Sequence, residues 1–149
     1  MVPMSPAFID ANVPIYAAGR PHPLKEPSIR ILLLVAEHPS EFVTDAEVLQ
    51  ELLHRYLSLR LWPSGREAFQ RFGELMIGRI ETVQATDVQH AAILADGYQE
   101  PGARNLLHVG VMNRLGLHRI ISADAGFDRL LEIERLDPAR FADWQSSLL

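Results

Sequence analysis

Asp10 directly follows the apolar run Ala7-Phe8-Ile9, and Asp124 follows Ile120-Ile121-Ser122 in the same way. Short apolar runs of this kind read as buried strands, so both carboxylates are expected where a strand ends. Asp128 comes about one helical turn after Asp124 and can face it. Glu51 stands among Val48, Leu49, Leu52 and Leu53. A carboxylate on or beside a buried stripe is costly unless it is paired or binds a cation. Carboxylates that converge in a chain without cysteine suit a hard, oxygen-ligated ion, Mg²⁺ or Mn²⁺ rather than zinc. Such an ion clamps phosphates and activates a water for attack on phosphorus. Plainer roles compete at each position. Aspartate after a strand is a common turn or capping residue. Glu51 could also pair with Arg55 four residues on, for about 0.3–0.5 kcal/mol.

The elements that must position these acids alternate. Strands are expected at 7–9, 42–43, 79–83 and 119–122. Helices are expected after Asn12, which can cap a short one, and from Pro27 and Ser28 to His38. Thr44 with Glu47 forms a capping box for a helix to about Leu61, which Pro63 stops. Ser64 with Glu67 forms a second box, and Thr86 or Asp87 caps a helix to about Tyr98. A helix from Arg104 to Leu115 is closed by Gly116. Phe127 to Leu131 reads as a short helix or turn, and Asp137-Pro138 leads into a last helix ending at Trp144. This alternation implies βαβ units, a parallel sheet covered by helices on both faces, and a ligand site outside the carboxyl ends of the strands.

The 149 residues suit a single domain, 1–149, with no repeat or linker. With 48% hydrophobic and 22% charged residues, a disordered tail, a collagen and a coiled-coil rod are excluded. No apolar run approaches a membrane span, and Met1 to Pro6 does not look like a signal peptide, which points to the cytoplasm and no membrane partner. The net charge of −5 disfavours general nucleic-acid binding, so an RNA partner has to be held by a local basic patch or through metal ions.

The blocks Phe8-Ile9-Asp10-Ala11-Asn12-Val13, Thr44 to Leu53, and Ile120-Ile121-Ser122-Ala123-Asp124-Ala125-Gly126-Phe127-Asp128, with the tail Arg135-Leu136-Asp137-Pro138, resemble the PIN-domain family, the fold of VapC-type toxin ribonucleases. The resemblance spans almost the whole chain, in order. It implies an α/β three-layer fold with a parallel, five-stranded sheet flanked by helices on both faces. It also implies a Mg²⁺- or Mn²⁺-dependent endoribonuclease that forms a homodimer and is held inactive by a VapB-type antitoxin. Carried over by motif, Asp10, Glu51, Asp124 and Asp128 are the metal-site acids, and Asn12 and Ser122 support them. Ser122 would orient Asp124 or a water. One block departs from the pattern. Asn105, in Arg104-Asn105-Leu106-Leu107-His108, stands where an aspartate is expected. Its amide can offer a carbonyl oxygen to a metal but brings no negative charge and cannot act as a base. The resemblance therefore leaves two readings: a working nuclease with four acids, or a weakened PIN domain that acts by binding RNA or antitoxin.

Among the remaining residues, His108 could contact substrate or support the site but reads first as a partly buried structural histidine, and His54 and His90 lack metal-ligand spacing. Arg55, Arg60, Arg66, Arg71 and Arg79 outnumber Glu67 and Glu74 between Leu52 and Ile80. Arg55, Arg60 and Arg66 are thus candidate RNA or antitoxin contacts, and Leu57, Leu59, Leu61, Trp62 and Phe69 nearby suit a dimer or antitoxin groove as well as a core. A phospho-accepting receiver domain also gathers aspartates at a sheet rim. It needs a late lysine, and the only lysine here is Lys25.

Overall fold

The computed structural model describes residues 5–98 and 100–148; Met1 to Met4, the start of the expected non-signal segment, and Gln99 of the expected 99–102 loop lie outside them. Five parallel strands form one sheet: β1 (Ala7–Ile9), β2 (Phe42–Asp45), β3 (Ile80–Glu81), β4 (Arg119–Ile121) and β5 (Glu134–Leu136). Their order is β3-β2-β1-β4-β5, with Phe8 level with Val43 on one side and Ile120 on the other. From β1 the chain first builds outward through β2 and β3, then crosses back to add β4 and β5. The switch of direction lies between β1 and β4, where a parallel sheet opens a crevice at its carboxyl edge.

Among the described residues, seven α-helices accompany the strands: α1 (Asn12–Ala18), α2 (Lys25–Glu37), α3 (Ala46–Ser58), α4 (Trp62–Leu75), α5 (Ala85–Ala95), α6 (Ala103–Leu115) and α7 (Phe141–Trp144). Every residue of β1 and β4 is buried, so both faces of the central sheet are covered. Phe8, Ile9, Ile120 and Ile121 meet Val48, Leu52, Met112 and Phe127 in one core. None of the helices among the described residues is long and apolar enough to cross a membrane.

Several local expectations need correction. Asp45, not Thr44, caps α3, its Oδ1 accepting from Val48 N at 3.0 Å. Thr44 instead donates its hydroxyl to the Ile9 carbonyl and ties β2 to β1. Gln84 caps α5, in a box with Asp87. The helix expected to stop at Pro63 ends at Ser58. Pro63 sits in the first turn of α4, where its missing N–H costs nothing, and Ser64 caps nothing there. Asn12 opens α1 but does not cap it. β5 was not visible in the hydropathy pattern, because Glu134-Arg135-Leu136 is a short edge strand with two charges.

Helices α5 and α6 lie backbone to backbone. A Cβ on Gly110 would stand 2.4 Å from the Asp87 carbonyl oxygen. The buried Asp87 accepts from both Arg114 Nε (2.9 Å) and a terminal Arg114 nitrogen (3.1 Å). Burial pushes the Asp87 carboxyl up, but the Arg114 guanidinium and the Gln84 N–H hold it below the usual carboxylate range. Gly110→Ala should therefore destabilise the protein by about 1–3 kcal/mol despite alanine's better helix propensity. An unchanged urea midpoint would contradict this close approach.

Candidate active site

Three neighbouring strands deliver polar residues to the carboxyl rim. β2 ends on Asp45, β1 is followed by Asp10, and β4 by Ser122. The Asp10 N–H donates to the Ile121 carbonyl, so Asp10 continues the ladder just past the last apolar residue of β1. The residue is 4% exposed. Oδ1 accepts from Ala11 N at 2.8 Å, and Oδ2 accepts from Ser122 Oγ at 2.7 Å and Asn12 Nδ2 at 3.3 Å. Burial raises the Asp10 carboxyl above its ordinary range, and His108 and Ser122 only partly offset this.

Glu51 projects from α3 and His108 from α6. The His108 ring is fully buried, with Nδ1 2.8 Å from Asp45 Oδ2, Nε2 2.7 Å from Glu51 Oε1, and Nε2 3.7 Å from Asp10 Oδ1. Phe8 packs beside the ring at 5.1 Å between centroids. Burial opposes the imidazolium, but hydrogen bonds to Asp45 and Glu51 and the charge of Asp10 overcome it and push the histidine's pKa up to about 10. His108 is thus a positive charge set among three carboxylates and not the partly buried structural residue expected from sequence. One turn before Glu51, partial burial and the Glu51 charge raise the Glu47 carboxyl as well.

Asp124 and Asn105 meet each other: Asn105 Nδ2 donates to Asp124 Oδ2 at 2.7 Å. The other Asp124 oxygen caps the 3-10 turn at 125–129 through Gly126 N. Ser122 was expected to orient Asp124 or a water. Its hydroxyl instead donates to Asp10, and it accepts from the Asp124 backbone N–H and from Asn12 Nδ2. Asn12 Oδ1 accepts from Ala123 N, which locks the loop after β4 onto α1. Asp128 turns to Arg135, whose Nε and a terminal nitrogen grip its two oxygens at 2.9 and 3.0 Å. That guanidinium holds the Asp128 carboxyl below its usual range.

The structure therefore brings Asp10 and Glu51 together with His108, links the Asp124 backbone to Asp10 through Ser122, and pairs Asp124 with Asn105 and Asp128 with Arg135. Donor atoms of Asp10, Glu51 and His108 lie within 4.8 Å of one another. The carboxylate oxygens of Asp10 and Glu51 at a rim crevice are donors that a divalent cation fits, with the protonated His108 ring beside them as counter-charge. Of the basic residues, Arg55 lines a cleft beside α1, Arg66 lies over the Trp62 ring and Arg71 pairs with Glu67. Arg60, exposed, lies in the turn between α3 and α4 at a φ of 56°.

Residues 7–132 match the PIN domain family. The chain is a PIN domain. Its relatives include the VapC ribonuclease Mb1869c of Mycobacterium bovis and ribonuclease VapC13 of Mycobacterium tuberculosis, each 39% identical over 87% of this chain and 98% of theirs. They place this PIN domain in the VapC branch. In fold it is similar to VapBC2 from Rickettsia felis, crystallised bound to a promoter DNA fragment (TM-score 0.67, 15% identity, 88% of this chain and 97% of that one). FitAcB from Neisseria gonorrhoeae is also similar (TM-score 0.66, 18% identity, 90% and 99%).

Proposed function

We propose that this PIN domain is the cytoplasmic toxin of a toxin–antitoxin pair, an endoribonuclease that hydrolyses RNA phosphodiesters with Mg²⁺ or Mn²⁺. The observation that carries this reading is the convergence of the Asp10 and Glu51 carboxylates at the sheet rim, around His108. Asp10 and Glu51 would hold the ion, with Asp124 completing the acidic rim. When bound, the ion supplies charge to clamp the phosphodiester and a lowered pKa for a water. The protein's own part is orientation. Ser122 and Asn12 fix the Asp10 carboxylate, and His108, anchored on Asp45, fixes Glu51. The names of the VapC relatives support the ribonuclease activity. The toxin–antitoxin neighbours support an antitoxin partner, and the exposed Leu57, Leu59 and Leu61 suit that partner or a homodimer.

The Asn105–Asp124 hydrogen bond favours a second reading, a weakened enzyme. The neutral amide satisfies an Asp124 oxygen that an aspartate at 105 could only share with a cation. Asn105→Asp should then tighten Mn²⁺ binding about tenfold or more, measured by calorimetry, and raise cleavage of an RNA pool. A wild-type protein that cuts RNA, is stopped by EDTA and gains nothing from Asn105→Asp would refute the weakened reading. Neither protein cutting with either metal would refute the nuclease itself.

A further inference from the structure

The segment after β4 carries Asp124 to the rim, and one residue of the edge strand grips that segment at two points. Arg135 is level with Ile120 in the β4–β5 ladder. Its Nε and one terminal nitrogen hold both oxygens of Asp128, and its other terminal nitrogen donates to the Ser122 carbonyl at 3.1 Å. That last nitrogen also stands 3.6 Å from Asp137 Oδ2. Ser122 N donates to the Leu136 carbonyl at 3.3 Å, so β5 engages both backbone groups of Ser122. Asp124 thus lies between two anchors, Ser122 two residues before it and Asp128 four residues after it. The turn between them has little room to shift. A Cβ on Gly126 would stand 3.0 Å from Asp124 Oδ1 and 3.1 Å from Pro101 Cβ, and Phe127 is fully buried.

Other uses of the pair fit less well. The Arg135 side chain is only 13% exposed and its guanidinium is engaged by protein acceptors, so it is poorly placed for an RNA phosphate. Asp128 gives both oxygens to that guanidinium, and a cation would have to break a bidentate pair to reach them. Asp124 Oδ2, by contrast, meets only the neutral Asn105 amide. Resting on the metal-dependent nuclease reading, we propose that Arg135 is a positioning residue and Asp128 its anchor, together clamping the segment after β4 so that Asp124 meets the ion. Asp128 is then not a ligand, and the pair acts only through Asp124. Charge alone predicts the opposite for Arg135, because removing a cation beside a metal site favours the metal.

The test is Mn²⁺ titration calorimetry on Arg135→Met, Asp128→Asn and Asp124→Asn, singly and in pairs. Arg135→Met and Asp128→Asn should each weaken Mn²⁺ binding about tenfold. Neither should add to the loss in an Asp124→Asn background, where no carboxylate is left to position. Arg135→Lys keeps the charge but not the fork, and should fall between wild type and Arg135→Met. Cooperative urea unfolding of each metal-free variant shows that folded proteins are compared. Asp128→Asn keeps the shape of the side chain and carries the same prediction if Arg135→Met does not fold. Tighter Mn²⁺ binding in Arg135→Met would make Asp128 a ligand that the guanidinium withholds, and would overturn the proposal. Equal weakening with and without Asp124 would also overturn it, since a merely structural pair behaves that way. RNA cleavage by the wild type is followed in parallel. If wild type cuts RNA while both single variants bind Mn²⁺ as it does, the clamp falls and the nuclease stands. If wild type neither binds Mn²⁺ nor cuts RNA, both fall.

Discussion

Asp10→Asn should lower metal-dependent RNA cleavage by at least about a hundredfold, since even outer-shell partners of a metal site commonly contribute 10–100-fold. The substitution keeps the shape of the side chain and removes only its charge and one acceptor. Asp10 Oδ2 accepts from Ser122 and Asn12, so an amide nitrogen there would face two donors. Each mismatched bond costs about 1 kcal/mol. Against that, the amide relieves a carboxylate that burial already disfavours and that Glu51 repels. The two effects oppose, so stability should change by no more than about 2 kcal/mol. A calorimetric titration should show weaker Mn²⁺ binding in a protein that still melts cooperatively. Wild-type cleavage by a folded Asp10→Asn protein would remove Asp10 from the reaction.

His108→Leu should destabilise the metal-free protein by about 3–5 kcal/mol, because it removes the cation from a buried cluster and leaves its carboxylates uncompensated. Leucine fills similar space, so the loss reports charge and hydrogen bonding more than a cavity. The wild-type pH dependence carries the same signature. The His108 pKa is about 10 in the fold against an ordinary 6.5. Protonated His108 therefore stabilises the fold fully below about pH 6.5, and that stability drains away as pH rises toward 10. Asp10, whose carboxyl burial raises, contributes a loss of the same sign in a window that begins near its ordinary 3.8. Urea denaturation in EDTA between pH 6 and 10 should show wild type losing stability that His108→Leu never had, so that the two curves converge. Parallel curves would mean that His108 is neutral throughout and that the cluster is held some other way.

Much of this arrangement was readable from local pattern. A short apolar run followed by aspartate places that aspartate at a strand end, and alternation with helices makes the sheet parallel. Together these put Asp10 and the segment Ser122 to Asp124 at one rim. Glu51 was only half readable: a glutamate among leucines could face inward, but an exposed pair with Arg55 suited the spacing at least as well, and the fold turned it to His108. Gly116, at a φ of 71°, closes α6 as a left-handed position after a helix should.

What the sequence could not disclose depended on partners far apart along the chain or on differences of one residue. His108 meets Asp45 across 63 residues and Glu51 across 57. No spacing rule connects them, so a histidine on a helix read as ordinary packing. Only the packing of α6 against β1 and α3 makes it the charge that binds three acids. Asp45 escaped notice because Thr44 is an equally good capping residue, and one step along β2 decides which side chain reaches the helix and which reaches Ile9. Asp128 follows Asp124 by about a turn, but the edge strand β5 brings Arg135 to it, and a bidentate guanidinium outcompetes a neighbouring acid. Local hydropathy determined which residues reach the rim. The long-range electrostatics of the folded chain decided which of them face one another.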